Sequence, residues 1–236
     1  MLAFTYRENV FNLHISHIIT DGGGVYPFLR TLLYYYLTEK YGENFSADGI
    51  NLTDDEITSE ETGNPYSEQE MKEVKPFYIP DKGKYFRLSD EKYAKEFSEK
   101  VFFIKVKQKD FIRVNKRNDG SPCILGAVLA AKAIWNVHPS IKDNIVCDVS
   151  CNLRSSMGNN KNYRLLSSSF PVIYSADIKD RDISSLCTYS RGMTFLNMQP
   201  ENVWYYCEFI NRLKMYNIGY KEEGFENNIA LATQLP

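Results

Sequence analysis

Apolar and polar residues alternate from Val10 to His17. Phe11, Leu13, Ile15 and His17 fall on one side of an extended chain, and Asn12, His14 and Ser16 on the other, which predicts a strand whose apolar face closes with the histidine. The period then changes. After Thr20, Asp21 and three glycines, Val25, Phe28, Leu29, Leu32, Leu33, Tyr36 and Leu37 recur at helical spacing, with Pro27 tolerated only in the first turn. From about Gly42 to Pro80 the periodicity is lost and acidic, polar residues dominate, which predicts a long connection crossing between lobes. A short helix opening at Ser89 and a strand over Lys100–Lys107 follow. Next come two helices between Lys109 and Val137, broken at Asp119 and Gly120, with Ser121 as cap and Pro122 in the second helix's first turn.

Alternation returns over Asp143–Arg154, setting Ile145, Cys147, Val149, Cys151 and Leu153 against Asp148, Ser150, Asn152 and Arg154. A third strand, Ser167–Ser175, lies near an edge or bulge because Pro171 cannot donate to a ladder. Helical patterns resume over Asp182–Leu196 and Glu201–Tyr216, and the chain stops at Pro236 with no closing strand after them. The class is α/β in the α+β sense, divided as 1–80, carrying an acidic linker, and 81–236.

Composition narrows the function. With 236 residues, 43% hydrophobic and 25% charged, the chain is long enough for a sizeable core. Its 28 basic and 30 acidic residues are interspersed, leaving a net charge of -2 and no basic footprint for nucleic acid or an anionic membrane. Arg7 and Glu8 interrupt the N-terminal apolar residues, so neither a signal peptide nor a membrane span is expected. Five cysteines without a Cys-x-x-Cys pair read as reduced thiols, mostly buried, in a cytoplasmic protein.

Chemistry concentrates at the first strand's end. His14 and His17, three apart on a strand, face opposite ways, so no metal site is assigned. The Asp-Gly-Gly-Gly run lacks the lysine of a P-loop and the spacing of a dinucleotide fingerprint. On the residues alone, His17 is either a core histidine or a base, and Asp21 either caps the helix or pairs with a cation; both roles of Asp21 are compatible. The Tyr34–Tyr36 run and the aromatics around Trp204 read as core or interface surface, and His138 as a polar helix terminus.

His17, Ile18, Ile19, Thr20, Asp21 and Gly22 spell HxxxDG, and Asn152, Leu153 and Arg154 spell a later NLR with Arg164 beyond it. This combination resembles the chloramphenicol acetyltransferase-like superfamily, with its alcohol O-acetyltransferases, plant acyltransferases and condensation domains. The resemblance runs from about Phe11 to about Ala230, and Ser16 stands where a first histidine is common. It implies a two-lobed mixed sheet with flanking helices, here incomplete at both ends. It also implies acyl transfer from acyl-CoA, as co-substrate rather than resident cofactor, or from a carrier-protein thioester, to a small alcohol or amine, in a chain that is a homo-oligomer or is complemented by another.

On this resemblance His17 is the general base, since imidazole accepts a proton near neutral pH. Asp21 pairs with an arginine, for which Arg154 is the candidate, and so holds the loop that aims His17. Gly22, with Gly23 and Gly24, allows a tight backbone before the helix. Ser167, Ser168 and Ser169 are candidates to assist the oxyanion or line the substrate. A noncatalytic remnant or interaction module of the same fold is the alternative.

Overall fold

The structure is a computed structural model that describes residues 2–66, 78–87 and 104–215, apart from the side chains of 208–215. Its elements are β1 (Leu2–Arg7), β2 (Val10–Ile15), α1 (Gly22–Tyr41), a single turn α2 (Ser59–Thr62), α3 (Gln108–Arg117), α4 (Pro122–Val137), β3 (Ile145–Asn152), β4 (Ser167–Tyr174), a 3-10 turn (Ala176–Ile178), α5 (Ile183–Asn197) and α6 (Pro200–Met215). The class is α+β: the described strands form two separate two-stranded sheets, β1–β2 and β3–β4. No single helix among the described residues is long and apolar enough to cross a bilayer; α3 and α4 reach that length only as a pair bent by 80°.

Two compact units are built from interleaved segments. Among the described residues the first takes 2–66, 151–168 and 203–215, and the second 78–87, 104–150 and 169–202. The first unit therefore extends beyond the residue-80 boundary read from the acidic stretch.

In the first unit β1 and β2 pair antiparallel from Leu2↔Ile15 to Arg7↔Val10. The two-residue turn puts Glu8 at φ 54°, the left-handed region that primed hairpin turns require. Period 2 places Leu2, Phe4, Tyr6, Phe11, Leu13 and Ile15 on one face, with Phe4 stacked on Phe11 at 5.5 Å. Phe4, Phe11 and Tyr6 are nevertheless 47%, 49% and 85% exposed.

The strand stops at Ile15, two residues before His17, which lies in an exposed turn closed by the Ile19 N–H donating to the Ser16 carbonyl at 3.0 Å. α1 begins earlier than the apolar spacing suggests, because Asp21 caps it. Pro27 consequently sits beyond the first turn, inside the helix. It ends at Gly42, φ 65°, whose N–H returns to the Thr38 carbonyl. Of its residues only Gly24 is buried; the expected apolar face leaves Phe28, Leu33, Tyr36 and Leu37 exposed.

The second unit has the hydrocarbon core. α4 buries Ile124, Leu125, Val128, Ala131 and Trp135 at helical spacing, and α5 buries Leu186 and Cys187. α3 is stopped and α4 started as the sequence indicates: Asp119 is left-handed at φ 52°, and the Ser121 hydroxyl accepts from the Ile124 N–H. β4 is buried from Phe170 to Tyr174, and the Tyr174 hydroxyl meets that of Ser190 at 2.8 Å.

The β3–β4 register follows from two contacts. The Leu153 N–H donates to the Leu166 carbonyl, and Ser150 and Ser169 hydroxyls meet at 3.1 Å, so partner numbers fall as residue numbers rise and the pair is antiparallel. In that register Pro171 opposes Asp148 at a non-hydrogen-bonded position, where β3 needs no N–H from it. Tyr85 bridges Asn144 in parallel just ahead of β3.

Three expectations fall elsewhere. The Ser89 helix, the start of the Lys100–Lys107 strand and the chain's last residues lie outside the described residues, while 104–107 is irregular.

With Leu186 fully buried, Leu186→Ala should destabilise the second unit by about 2–5 kcal/mol. The measurement is denaturant unfolding followed by Trp135 fluorescence in a Trp204→Phe background. An unchanged midpoint would remove Leu186 from the core.

Candidate functional site

The motif turn is anchored by one buried ion pair within the first unit. Asp21 closes the turn and caps α1, its Oδ1 accepting from the Gly24 N–H at 2.9 Å. Arg154 lies two residues past β3, where the chain leaves the ladder and its side chain turns inward. The two side chains are 3% and 6% exposed. Arg154 Nη2 reaches Asp21 Oδ1 at 2.8 Å and Nη1 reaches Oδ2 at 3.1 Å, a bidentate fork.

The remaining valences of both groups are used. Asp21 Oδ2 also accepts the Leu166 N–H at 2.8 Å, so the carboxylate takes three hydrogen bonds besides the Arg154 Nη2 ion-pair contact. Arg154 Nε donates to the Asn162 carbonyl at 2.8 Å, Nη1 to Asn152 Oδ1 at 3.1 Å and Nη2 to the Arg164 carbonyl at 2.7 Å. Each nitrogen of the guanidinium thereby donates to at least one acceptor. Such saturation is what makes a desolvated charge pair tolerable.

Burial pushes the Asp21 carboxyl upward. Hydrogen bonds from Arg154, Gly24 and Leu166, with the Arg154 charge, outweigh it and hold the group below its ordinary value of 3.8.

Gly23 and Gly24 are required here for space. A Cβ on Gly23 would stand 2.5 Å from Arg154 Nη1, and one on Gly24 would overlap the Tyr163 carbonyl and the Thr20 hydroxyl. Gly22, the motif's own glycine, has nothing within 4 Å of that position. None of the three has a positive φ, so the tight backbone conformation expected of them is replaced by close packing against the first turn of α1.

The acidic stretch does not simply connect. Its backbone carbonyls form the outer wall of the anchor: those of Glu60 and Gly63 accept from Asn162 Nδ2 at 2.9 and 3.1 Å, that of Glu61 from the Tyr163 N–H at 2.9 Å, and that of Thr62 from Arg164 Nε at 2.9 Å. Asn162, 2% exposed, also accepts the Arg164 N–H on its Oδ1. The Tyr66 hydroxyl donates to the Leu165 carbonyl at 3.0 Å, and burial holds its phenol well above the ordinary range.

Glu61 lies below its usual value because the Thr58 N–H and hydroxyl bond it in a capping box. Asn162, Tyr163 and Thr20 escape sequence reasoning; all three act through hydrogen bonds to residues distant in sequence, which no periodicity marks.

His17 is exposed, and no described residue bonds its ring. Asp21, both of whose oxygens are engaged by Arg154, Gly24 and Leu166, makes no bond to it. Ser167 and Ser168 open β4 in the first unit, whereas Ser169 belongs to the second and pairs with Ser150; none of the three hydroxyls bonds His17. None of the five cysteines is in a disulfide. Burial pushes Cys207 up to about 12 and Cys147 up to about 11, which removes them as nucleophiles at neutral pH. Among the described residues no cluster of His, Cys, Asp or Glu is arranged to hold a metal.

Arg154→Ala strands the buried Asp21 carboxylate and should cost the first unit about 3–5 kcal/mol. Arg154→Lys, which keeps charge but not the fork, should recover part of this. Because the folded Asp21 pKa lies below the unfolded one, its contribution is complete above about pH 5 and is lost as pH falls through the folded pKa. Asp21→Asn should flatten that acid limb. Unfolding followed by Trp204 fluorescence in a Trp135→Phe background checks all three variants, and a Lys variant as stable as wild type would remove the fork's role.

In the same assay Gly24→Ala should be strongly destabilising, while Gly22→Ala should stay within about 0.5 kcal/mol of wild type. The reverse ranking would show that the motif glycine, not the packing glycine, carries the turn. The chain matches no protein-family model, no curated protein and no solved structure.

Proposed function

We propose that the chain carries the general-base side of an acyl-transfer site of the chloramphenicol acetyltransferase-like kind, within a two-lobed fold built on a mixed sheet. An acyl group would pass from acyl-CoA, or a phosphopantetheine thioester, to an alcohol or amine. The observation that carries this reading is the engagement of both Asp21 oxygens by Arg154, Leu166 and Gly24. It supports the part of the division of labour that the resemblance implies for Asp21, in which the carboxylate braces the turn instead of relaying the proton of the imidazole.

His17 takes the proton of the acceptor hydroxyl or amine as its oxygen or nitrogen bonds to the thioester carbonyl carbon. The tetrahedral intermediate collapses with cleavage of the carbon–sulfur bond, and the imidazolium returns the proton to the leaving thiolate. Ser167, Ser168 or Ser169 would donate to the oxyanion. A cytoplasmic setting, where acyl-CoA is available and the five thiols remain reduced, fits this chemistry.

The noncatalytic reading rests on a separate observation. The apolar face of the β1–β2 hairpin is largely exposed, and a two-stranded hairpin is marginal in water on its own. An interaction module would use that face and leave His17 idle.

Acetyl-CoA incubated with the chain and a panel of alcohols and amines should release free thiol. His17→Ala should lower the rate by about 10²–10⁴ while leaving unfolding midpoints unchanged. Equal rates in wild type and variant would remove the catalytic assignment and favour the module.

A further inference from the structure

We infer that Thr20 is a positioning residue for His17, an inference that rests on His17 being the base. No described residue bonds the imidazole, so its direction is set through the backbone that carries it. That backbone has two kinds of restraint downstream of the ring. One is the Asp21 anchor. The other is the Thr20 hydroxyl, which donates to the Tyr163 carbonyl at 2.5 Å across 143 positions of sequence. The hydroxyl lies 3.3 Å from the Asp21 carbonyl as well, but its one proton goes to the nearer acceptor.

Thr20 stands between the Ser16–Ile19 turn and Asp21, so it fixes the last free link between the imidazole's turn and the buried charge pair. Its acceptor is itself held. The Tyr163 N–H donates to the Glu61 carbonyl at 2.9 Å, and the Tyr163 hydroxyl is bonded to Asn51 and Glu61. The acidic segment thus reaches the motif through Tyr163 and Thr20. Gly24 leaves the space: a side chain there would displace both the Thr20 hydroxyl and the Tyr163 carbonyl.

The full chain is compared as wild type, Thr20→Val, Thr20→Ala and Thr20→Ser. Val keeps the shape and loses the donor; Ser keeps the donor. Hydrogen exchange at the Ile19 amide, which closes the turn on Ser16, should quicken about tenfold or more in Val and Ala and return to the wild-type rate in Ser. The Trp204 unfolding midpoint should move little. With acetyl-CoA and an alcohol that supports thiol release, kcat should fall about tenfold or more in Val with KM unchanged, and Ser should restore it.

Wild-type exchange in both Val and Ala, or failure of Ser to rescue, would overturn the inference. Absence of thiol release from wild type would instead remove the acyl-transfer reading. The exchange measurement would still decide whether Thr20 holds the turn.

Discussion

The first unit depends on one desolvated ion pair. Asp21 and Arg154 are 133 positions apart and both nearly sealed from solvent, and their attraction is useful only because each is saturated by further bonds. Those bonds come from Gly24 in α1, Asn152 at the end of β3, and Asn162, Arg164 and Leu166 in the return to β4. A lysine would satisfy fewer of these acceptors and could not fork the carboxylate. The pair therefore sets the relative positions of the motif turn and the β3–β4 connection, and the α2 segment wraps the outside through Asn162.

This arrangement constrains the chemistry before any substrate is considered. In a serine-protease triad the carboxylate holds the imidazole in one tautomer. Here the nearest carboxylate in sequence is engaged by Arg154, Gly24 and Leu166 and makes no bond to the ring. A base at His17 must take its orientation from the main chain, and the restraints nearest to it are the Ser16–Ile19 turn and the Thr20 hydroxyl. Backbone aiming leaves both ring nitrogens free, which suits a group that must accept a proton and return it in the next step.

Local physics explains what the sequence disclosed. Alternation located β2 and β3, the Ser167–Ser175 run with Pro171 located β4, and the Asp119–Pro122 punctuation located the start of α4. β1 was invisible because its turn is Glu8–Asn9, without the Asn-Gly or Gly that usually marks a two-residue hairpin. His17 was assigned to the strand because period 2 continues through it, whereas pairing ends with β1 at Ile15. Low hydrophobicity in the acidic stretch signalled a loop, but composition does not reveal which backbone carbonyls a distant asparagine will use. The Asp21–Arg154 pair was legible only through the motif resemblance; the bonds from the arginine to Asn152 and to the carbonyls of Asn162 and Arg164 were not.

The two units also differ in what they bury. In the second, aliphatic and aromatic side chains of α4, α5 and β4 share the interior, among the described residues, with uncharged polar groups alone, Asn115, Ser190, Asn197 and Asn202, and its apolar positions tolerate hydrophobic substitutions of similar volume. In the first, Asp21, Arg154 and Asn162 share the interior with Leu153, Leu166, Val203 and Cys207. A polar interior is specific but intolerant, because removing one member leaves its fellows desolvated and unpaired. The atoms that keep the first unit folded are thus also those that aim the motif turn. Loss of turnover in an Asp21 or Arg154 variant would not distinguish a chemical role from a structural one. Thr20 is the informative position, since its part-buried hydroxyl bond can be removed without stranding a charge.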